Sequence, residues 1–499
     1  MLTDEAHFDD APCGVVNMNR TWQPPLLRSV RVFLCAALAG TVSCAQMRDA
    51  PNADATVAIV GATVVHPERD DAQAVERDRT IVITGRRIAA VGPRAAVPVP
   101  SGAEIIDGRG KWVVPGLVDA HVHFFQSGNL YTRPDAADFT AMVPYAREVE
   151  RNKVRLPATF KVWIASGVTS VVDIGGPFWN FDVRDAALRT QPAPRVTVAG
   201  PLVSMVDDPK LDLGDPPIIK ITSADDARRL VERELTRKPD YIKVWFIHRL
   251  DDDLAAQEAI VKAAADAAHR AHVPLAVHAT QLIVAKAALR AGADYLVHSV
   301  DTEPVDAEFL APAKQNRVLY CPTLYVVSGY IEALSATWRP TAAESRLADP
   351  QIVASMGDAA GFPRESIPPW VAGSSAWRPQ QLRVAQQNLR AVWEAGITVV
   401  MGTDAGNIGT LHGPSVFREM ALMQDGGLTP LQVLRSATSN GARAARRDSE
   451  IGAIAAGRSA DLVVLDADPT SDVQNLSRVF RVIKDGSVFD PDALVRSIR

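Results

Sequence analysis

Cysteine is scarce in this chain. Its 499 residues include four, Cys13, Cys35, Cys44 and Cys321. Three of them lie in the first 50 residues, so no disulfide framework holds the rest together and stability has to come from an apolar core. Long apolar runs are missing as well. The stretch VFLCAALAGTV at 32–42 is uncharged, but it falls short of the about 20 residues that a membrane span requires. Neither sign of charge dominates. Lys and Arg number 53 against 58 Asp and Glu, for a net charge of −5, which gives nucleic acid or an anionic membrane no electrostatic hold on the protein. No basic run, heptad or solenoid period is present. The remaining composition, 47% hydrophobic and 22% charged, is that of a globular protein long enough for more than one domain.

Residues 1–50 read as a targeting segment. Arg20, Arg28 and Arg31 precede the apolar run, and Ser43 and Ala45 follow it, which is the order of a secretory signal. Asp4, Glu5, Asp9 and Asp10 are foreign to a signal's basic start, so Met18 is the expected first residue. The expectation is export to a bacterial periplasm, or membrane anchoring as a lipoprotein with Cys44 as candidate lipid anchor. A buried cytosolic helix is the competing reading. No transmembrane span is expected.

The rest of the chain falls into three stretches. Residues 56–115 contain β-branched runs broken by Gly and Asp, and the segment 446–499 carries similar runs, such as ADLVVLDAD and RVFRVIKDGSVF. The two ends are expected to form one small β domain, a β-sandwich. Between them, residues 116–445 alternate short apolar runs with helical stretches at 224–237, 253–271, 282–292 and 429–444. Pro430 after Thr429 makes a good helix start. The runs are GLVDAHVH, VTSVVDIG, RVTVAGPLV, YIKVW, LAVHA, YLVHS, VLYCPTL and TVVMGTDA. Eight strands alternating with helices predict an α/β fold, a (β/α)8 barrel. A doubly wound sheet competes, but no Gly-rich phosphate loop follows the first run.

The polar residues in these runs are the functional signal. In GLVDAHVH, His121 and His123 are two apart and share a face, and each imidazole can give a lone pair to zinc. Lys243, His278, His298 and Asp404 stand at similar places in four other runs, near the strand ends where barrel enzymes build their sites. Any one of these taken alone reads as a satisfied core histidine or a snorkelling lysine. Together they predict a shared metal site.

The ordered set GLVDAHVH, Lys243, His278, His298 and GTDAG resembles the amidohydrolase superfamily. The nearer likeness is to its imidazolonepropionase-like and Xaa-Pro-dipeptidase-like branch, over about residues 56–490. GAIAAGRSADLVVLDADP (452–469) and LHGPSVFREMALMQDGGLTPLQVLRSAT (411–438) are similar to the family's C-terminal segments. The resemblance implies two divalent metal ions, with zinc expected and manganese or cobalt as alternatives. His121, His123 and Asp404 are the implied ligands of the first, and His278 and His298 those of the second. Lys243 is implied to bridge them as a carbamate, formed from carbon dioxide and its amine. Burial lowers a lysine pKa, which frees the amine to react. The implied activity is hydrolysis of a carbon–nitrogen amide bond by a metal-bridging hydroxide, with Asp404 as the catalytic proton carrier. The family's Ser/Thr-Gly-Gly segment after the lysine is replaced here by FIHRLDD (246–252), a departure from its dipeptidases.

The expected partner is a small-molecule amide such as a dipeptide or N-acyl amino acid; homo-oligomers are compatible with the sequence. A cyclic amide, an imidazolone or a lactone is the alternative substrate. A periplasmic metal-dependent binding protein without turnover is the alternative outside enzymes. Candidate substrate contacts are His248, Tyr325 and His412, the last equally placed to support a ligand. Arg249 reads better as a partner of Asp251–Asp253 at a helix start. His66, His269 and His272 are given no role. The insertion 338–379, with Trp338, Trp370 and Trp377 and many prolines, is either a lid over the pocket or packing on the barrel exterior.

Overall fold

The computed structural model describes residues 55–70, 72–363 and 367–498. Residues 1–50, where a targeting segment is expected, lie outside the described residues, and Met18 and Cys44 with them. No helix among the described residues is long and apolar enough to cross a membrane.

The two ends of the chain build one sheet, as their β-branched runs require. Strands β1 (Thr56–Val65), β2 (Val75–Thr84), β3 (Arg87–Pro93), β4 (Glu104–Asp107) and β5 (Trp112–Pro115) come before the barrel. The strands β16 (Leu462–Leu465), β17 (Val479–Lys484) and β18 (Ser487–Phe489) come after it. They join in the order β18-β17-β16-β5-β1-β2-β3, with β4 also paired to β1. The two chain ends meet where β16 runs antiparallel to β5, Val463 opposite Val114. Ile59, Ile81, Ile83, Val113, Leu462 and Ile483 share its core.

The middle of the chain forms the barrel. Strands β6 (Leu117–Val122), β7 (Val168–Asp173) and β8 (Arg195–Val198) form one parallel set. A second parallel set contains β9 (Leu202–Ser204), β10 (Ile218–Lys220), β11 (Ile242–Trp245), β12 (Leu275–His278), β13 (Tyr295–Val297), β14 (Leu319–Cys321) and β15 (Thr398–Val399). Two parallel bridges, Ala199 with Tyr241 and Val122 with Ala405, connect the sets at both seams. The ring is therefore β6-β7-β8-β11-β12-β13-β14-β15, eight parallel strands. Val118, Ala120, Val172, Ala276, Tyr295, Cys321 and Val400 fill its interior, so it is a packed core with chemistry confined to one mouth. Cys321 is a buried free thiol.

Two elements differ from the sequence expectation. The run RVTVAGPLV is broken into β8 and β9 by Gly200 and Pro201; the proline has no N–H to continue a ladder, and β9 pairs with β11 on one side and β10 on the other. The helix expected over 429–444 is two, Pro430–Ser436 and Ser439–Ala444. The Ala437 carbonyl, at the break, accepts from the Val118 amide of β6 at 2.7 Å, so a barrel strand takes the bond that would have continued the helix. The expected start holds: Thr429 and Gln432 form a reciprocal capping box with Pro430 in the first turn.

The insertion 338–379 covers the mouth of the barrel. Trp338 packs with Leu130, Phe139, Ile408 and Leu411, and its indole N–H donates to the Gly409 carbonyl at 3.2 Å. Trp370 and Trp377 line the cavity below.

Gly402 tests this packing. A Cβ there would lie 2.5 Å from Cys321 Sγ and 2.8 Å from His121 Cβ. Gly402→Ala is expected to destabilise the protein by about 1–3 kcal/mol through overpacking, read as a lower urea midpoint. Gly373→Ala is the control, since its nearest neighbour is Pro369 O at 3.7 Å and its φ is −85°; a shift within about 0.5 kcal/mol is expected there.

Candidate metal centre

Strand alternation puts Asp119, His121 and His123 on one face of the β6 segment, pointing into the barrel mouth. The seam with residues 401–405 then fixes them against Asp404. Ala120 N donates to Met401 O at 2.9 Å, Asp404 N to His121 O at 2.7 Å and His123 N to Ala405 O at 2.8 Å. Asp119 ties the same seam from inside. It accepts the Thr403 hydroxyl at 2.6 Å, the Thr403 amide at 3.0 Å and the His121 amide at 3.2 Å. Burial pushes the Asp119 carboxyl up to about 7, against the pull of these donors.

One cavity of about 600 Å³ is lined by His121, His123, Lys243, His278, His298 and Asp404 together. His121 Nε2 and His123 Nε2 face each other at 3.3 Å. Asp404 Oδ1 lies 3.3 Å from the first and 3.1 Å from the second. His298 Nδ1 is 4.0 Å from Asp404 Oδ2, and the His278 and His298 rings stand 4.4 Å apart. Lys243, 1% exposed, enters from β11 between these groups in the strand order.

The chemistry of this set fits divalent cations. Burial holds the His121 and His278 imidazoles well below their ordinary pKa and brings His298 down to about 4, so all three are neutral and keep a lone pair. Burial opposes ionisation of Asp404, but His121, His123 and His298 outweigh it and hold the carboxyl well below the usual range. Among the described residues no hydrogen bond reaches its buried Oδ1. The Nδ1 of His123 is 2.6 Å from the Gly175 carbonyl, which sets the tautomer and turns the Nε2 lone pair to the cavity. His121, His123 and Asp404 offer ligand atoms within 4.8 Å of one another. Burial also brings Lys243 down to about 7.

The backbone bends to present these groups. His298, Thr323 and Asp404 have φ of 74°, 44° and 62°, each a left-handed conformation costing about 1–3 kcal/mol for a residue with a side chain. Thr323 pairs its hydroxyl with His298 Nδ1 at 2.7 Å. Asn407 donates to the Asp404 carbonyl at 3.0 Å, and its own Oδ1 accepts from Tyr330 at 2.6 Å and Arg133 at 2.5 Å.

The three candidate substrate contacts lie elsewhere. His248 is half-buried, with Nδ1 2.8 Å from Gln257 Oε1, and does not line the cavity. Tyr325 is buried, donates to Glu332 at 3.1 Å and lies under the Arg418 guanidinium. His412 sits behind the centre, its Nε2 3.2 Å from the His123 carbonyl and its ring stacked on Phe124; it braces the His123 backbone. Arg249 is exposed, and its amide donates to Asp252 at 2.8 Å. Strand ends could be read from the sequence, but loop direction could not. Asp119 was within reach, because it stands two residues before His121 on the same strand face. Arg133 and Asn407 carry no such signal.

Thr403→Val is expected to leave the buried Asp119 carboxylate short of a donor and to destabilise by about 1–3 kcal/mol. A urea midpoint reads this, and Thr403→Ser should restore it.

Residues 112–489 match the amidohydrolase family. An imidazolonepropionase of Caulobacter vibrioides is 43% identical over 63 residues, which span 13% of this chain and 16% of that relative's length. The ochratoxinase of Aspergillus niger is 24% identical over 446 residues, 83% of each chain. The solved structure of a Xaa-Pro dipeptidase with bound methionine in its active site superposes with a TM-score of 0.64 at 23% identity, covering 87% of this chain and all of that one, and so shares the fold. With the strand order, the buried histidine–aspartate cluster and a match over most of its length, the chain belongs to the amidohydrolase family.

Proposed function

We propose that the protein hydrolyses the amide bond of a small substrate, a dipeptide or N-acyl amino acid, at a pair of divalent metal ions. The observation that carries this reading is the meeting of six chemically matched side chains from five strands in one cavity. His121, His123 and Asp404 would hold one ion and His278 and His298 the other, with Lys243 as a carbamate between them. Bound there, the ions supply Lewis acidity and a water of lowered pKa. Zinc suits this nitrogen and oxygen donor set.

The residues supply the rest. Asp404, ionised and without a donor on Oδ1, is placed to accept a proton from the attacking water and return it to the leaving nitrogen. The apolar and aromatic walls, including Trp370 and Trp377 of the insertion, shield the reacting bond from bulk water. The names of the relatives, imidazolonepropionase, Xaa-Pro dipeptidase and ochratoxinase, support a range of small substrates. The FIHRLDD segment favours an amide other than a Xaa-Pro dipeptide. Export belongs to the same proposal and rests on the arginines and apolar run before residue 50.

Two measurements test the reading. Asp404→Asn is expected to retain most of the bound metal while kcat falls by about 10²–10⁴; turnover near wild type excludes Asp404 as proton carrier. Carbamate formation requires the neutral amine, whose fraction rises with pH through about 7 for Lys243. Labelled bicarbonate should therefore give a carbamate carbon signal by NMR that grows from pH 6 to pH 8 as the metal-free protein is reloaded with zinc, and that is absent in Lys243→Ala.

A further inference from the structure

Most ionisable side chains of the cavity are accounted for. Six form the metal centre. Arg133 is neutralised by the carboxylate of Asp135, with Nε–Oδ1 at 2.7 Å, and gives its remaining arm to Asn407. Asp301 is left over. It lines the cavity three residues beyond His298, where its amide donates to the Thr280 carbonyl at 3.1 Å. Apart from its own backbone amide, its carboxylate has no hydrogen-bond or salt-bridge partner among the described residues. The cation that acts on it through space is Arg378, which gives Nε to Ser328 Oγ at 3.2 Å and Nη2 to Leu324 O at 2.6 Å and makes no salt bridge to Asp301 among the described residues.

An uncommitted carboxylate in a half-buried wall is costly to keep. Burial pushes it up only to about 6, so it is charged at neutral pH. The same cavity is lined by Thr280, Thr302 and Gln381 as neutral polar groups and by Trp245, Trp370 and Trp377 as aromatic faces. Tryptophan faces attract cations and not anions. The charge and the aromatic surface therefore ask for the same ligand chemistry.

We propose that Asp301 is a specificity-determining residue that receives a cationic group of the substrate. The preferred substrates are then small amides bearing an ammonium or guanidinium group on the part that lies toward β12 and β13. This rests on the amide-hydrolase reading above and narrows it. An amide neutral at that end leaves Asp301 desolvated and unpaired, and the site discriminates against it for that reason.

The test uses the metal-loaded enzyme and matched pairs that place the cation on either side of the bond: N-acetyl-lysine against N-acetyl-norleucine, and 6-aminohexanoyl-alanine against hexanoyl-alanine. In at least one pair kcat/KM for the cationic member is expected to be higher by about tenfold or more. Asp301→Asn should bring that value down toward the neutral member's, and Asp301→Lys should invert the preference in favour of N-acetyl-glutamate. Hydrolysis without a cation preference, or a preference that survives Asp301→Asn, overturns this inference and leaves the hydrolase reading intact. Where no pair is cleaved, the hydrolase reading loses its support. Saturation-transfer NMR with benzylammonium and benzyl alcohol then decides the role of Asp301. Selective retention of the cation, lost in Asp301→Asn, supports it, and equal retention overturns it.

Discussion

The site depends on how the barrel closes. β6 and residues 401–405 are far apart in sequence, yet three backbone hydrogen bonds and the Asp119–Thr403 pair lock them together. That seam brings His121 and His123 within 3.3 Å of Asp404. Gly402 is required there because a side chain would strike His121 and Cys321. Packing at the seam and ligand placement are therefore one constraint.

The arrangement is unfavourable when considered alone. Imidazoles forced neutral, a carboxylate oxygen without a donor, a lysine taken out of water and left-handed backbone at His298, Thr323 and Asp404 all oppose folding. The barrel's packed interior and the sheet built from both chain ends offset these costs. Cations that bind the folded state add to its stability in proportion to their affinity. Neutral imidazoles and an ionised carboxylate gathered at one strand-end mouth are a donor set that divalent cations bind.

Much of this was legible in the sequence because strand chemistry is local. A two-residue period put His121 and His123 on one face, and like placement in other runs picked out Lys243, His278, His298 and Asp404. The terminal runs come together in one β domain, as their shared β-branched composition implied. What was not legible depends on loops and through-space contacts. His248, Tyr325 and His412 follow the right strands, but the chain turns them to Gln257, Glu332 and the His123 carbonyl. Gly200 and Pro201 split a strand that hydrophobicity alone reads as continuous. The insertion, left open between lid and outer packing, turns Trp370 and Trp377 toward the cavity, while Arg133, Asn407 and Asp301 join it from loops that have no periodic signal.

The proposed function requires that one cavity hold two cations between fixed side chains. Anomalous scattering at the zinc absorption edge, from crystals of the metal-loaded protein, tests it most directly. Two peaks are expected within about 4 Å of each other, one against His121 and His123 and the other against His278 and His298, with density from Lys243 reaching both. A single peak, or Lys243 turned away from the pair, would contradict it.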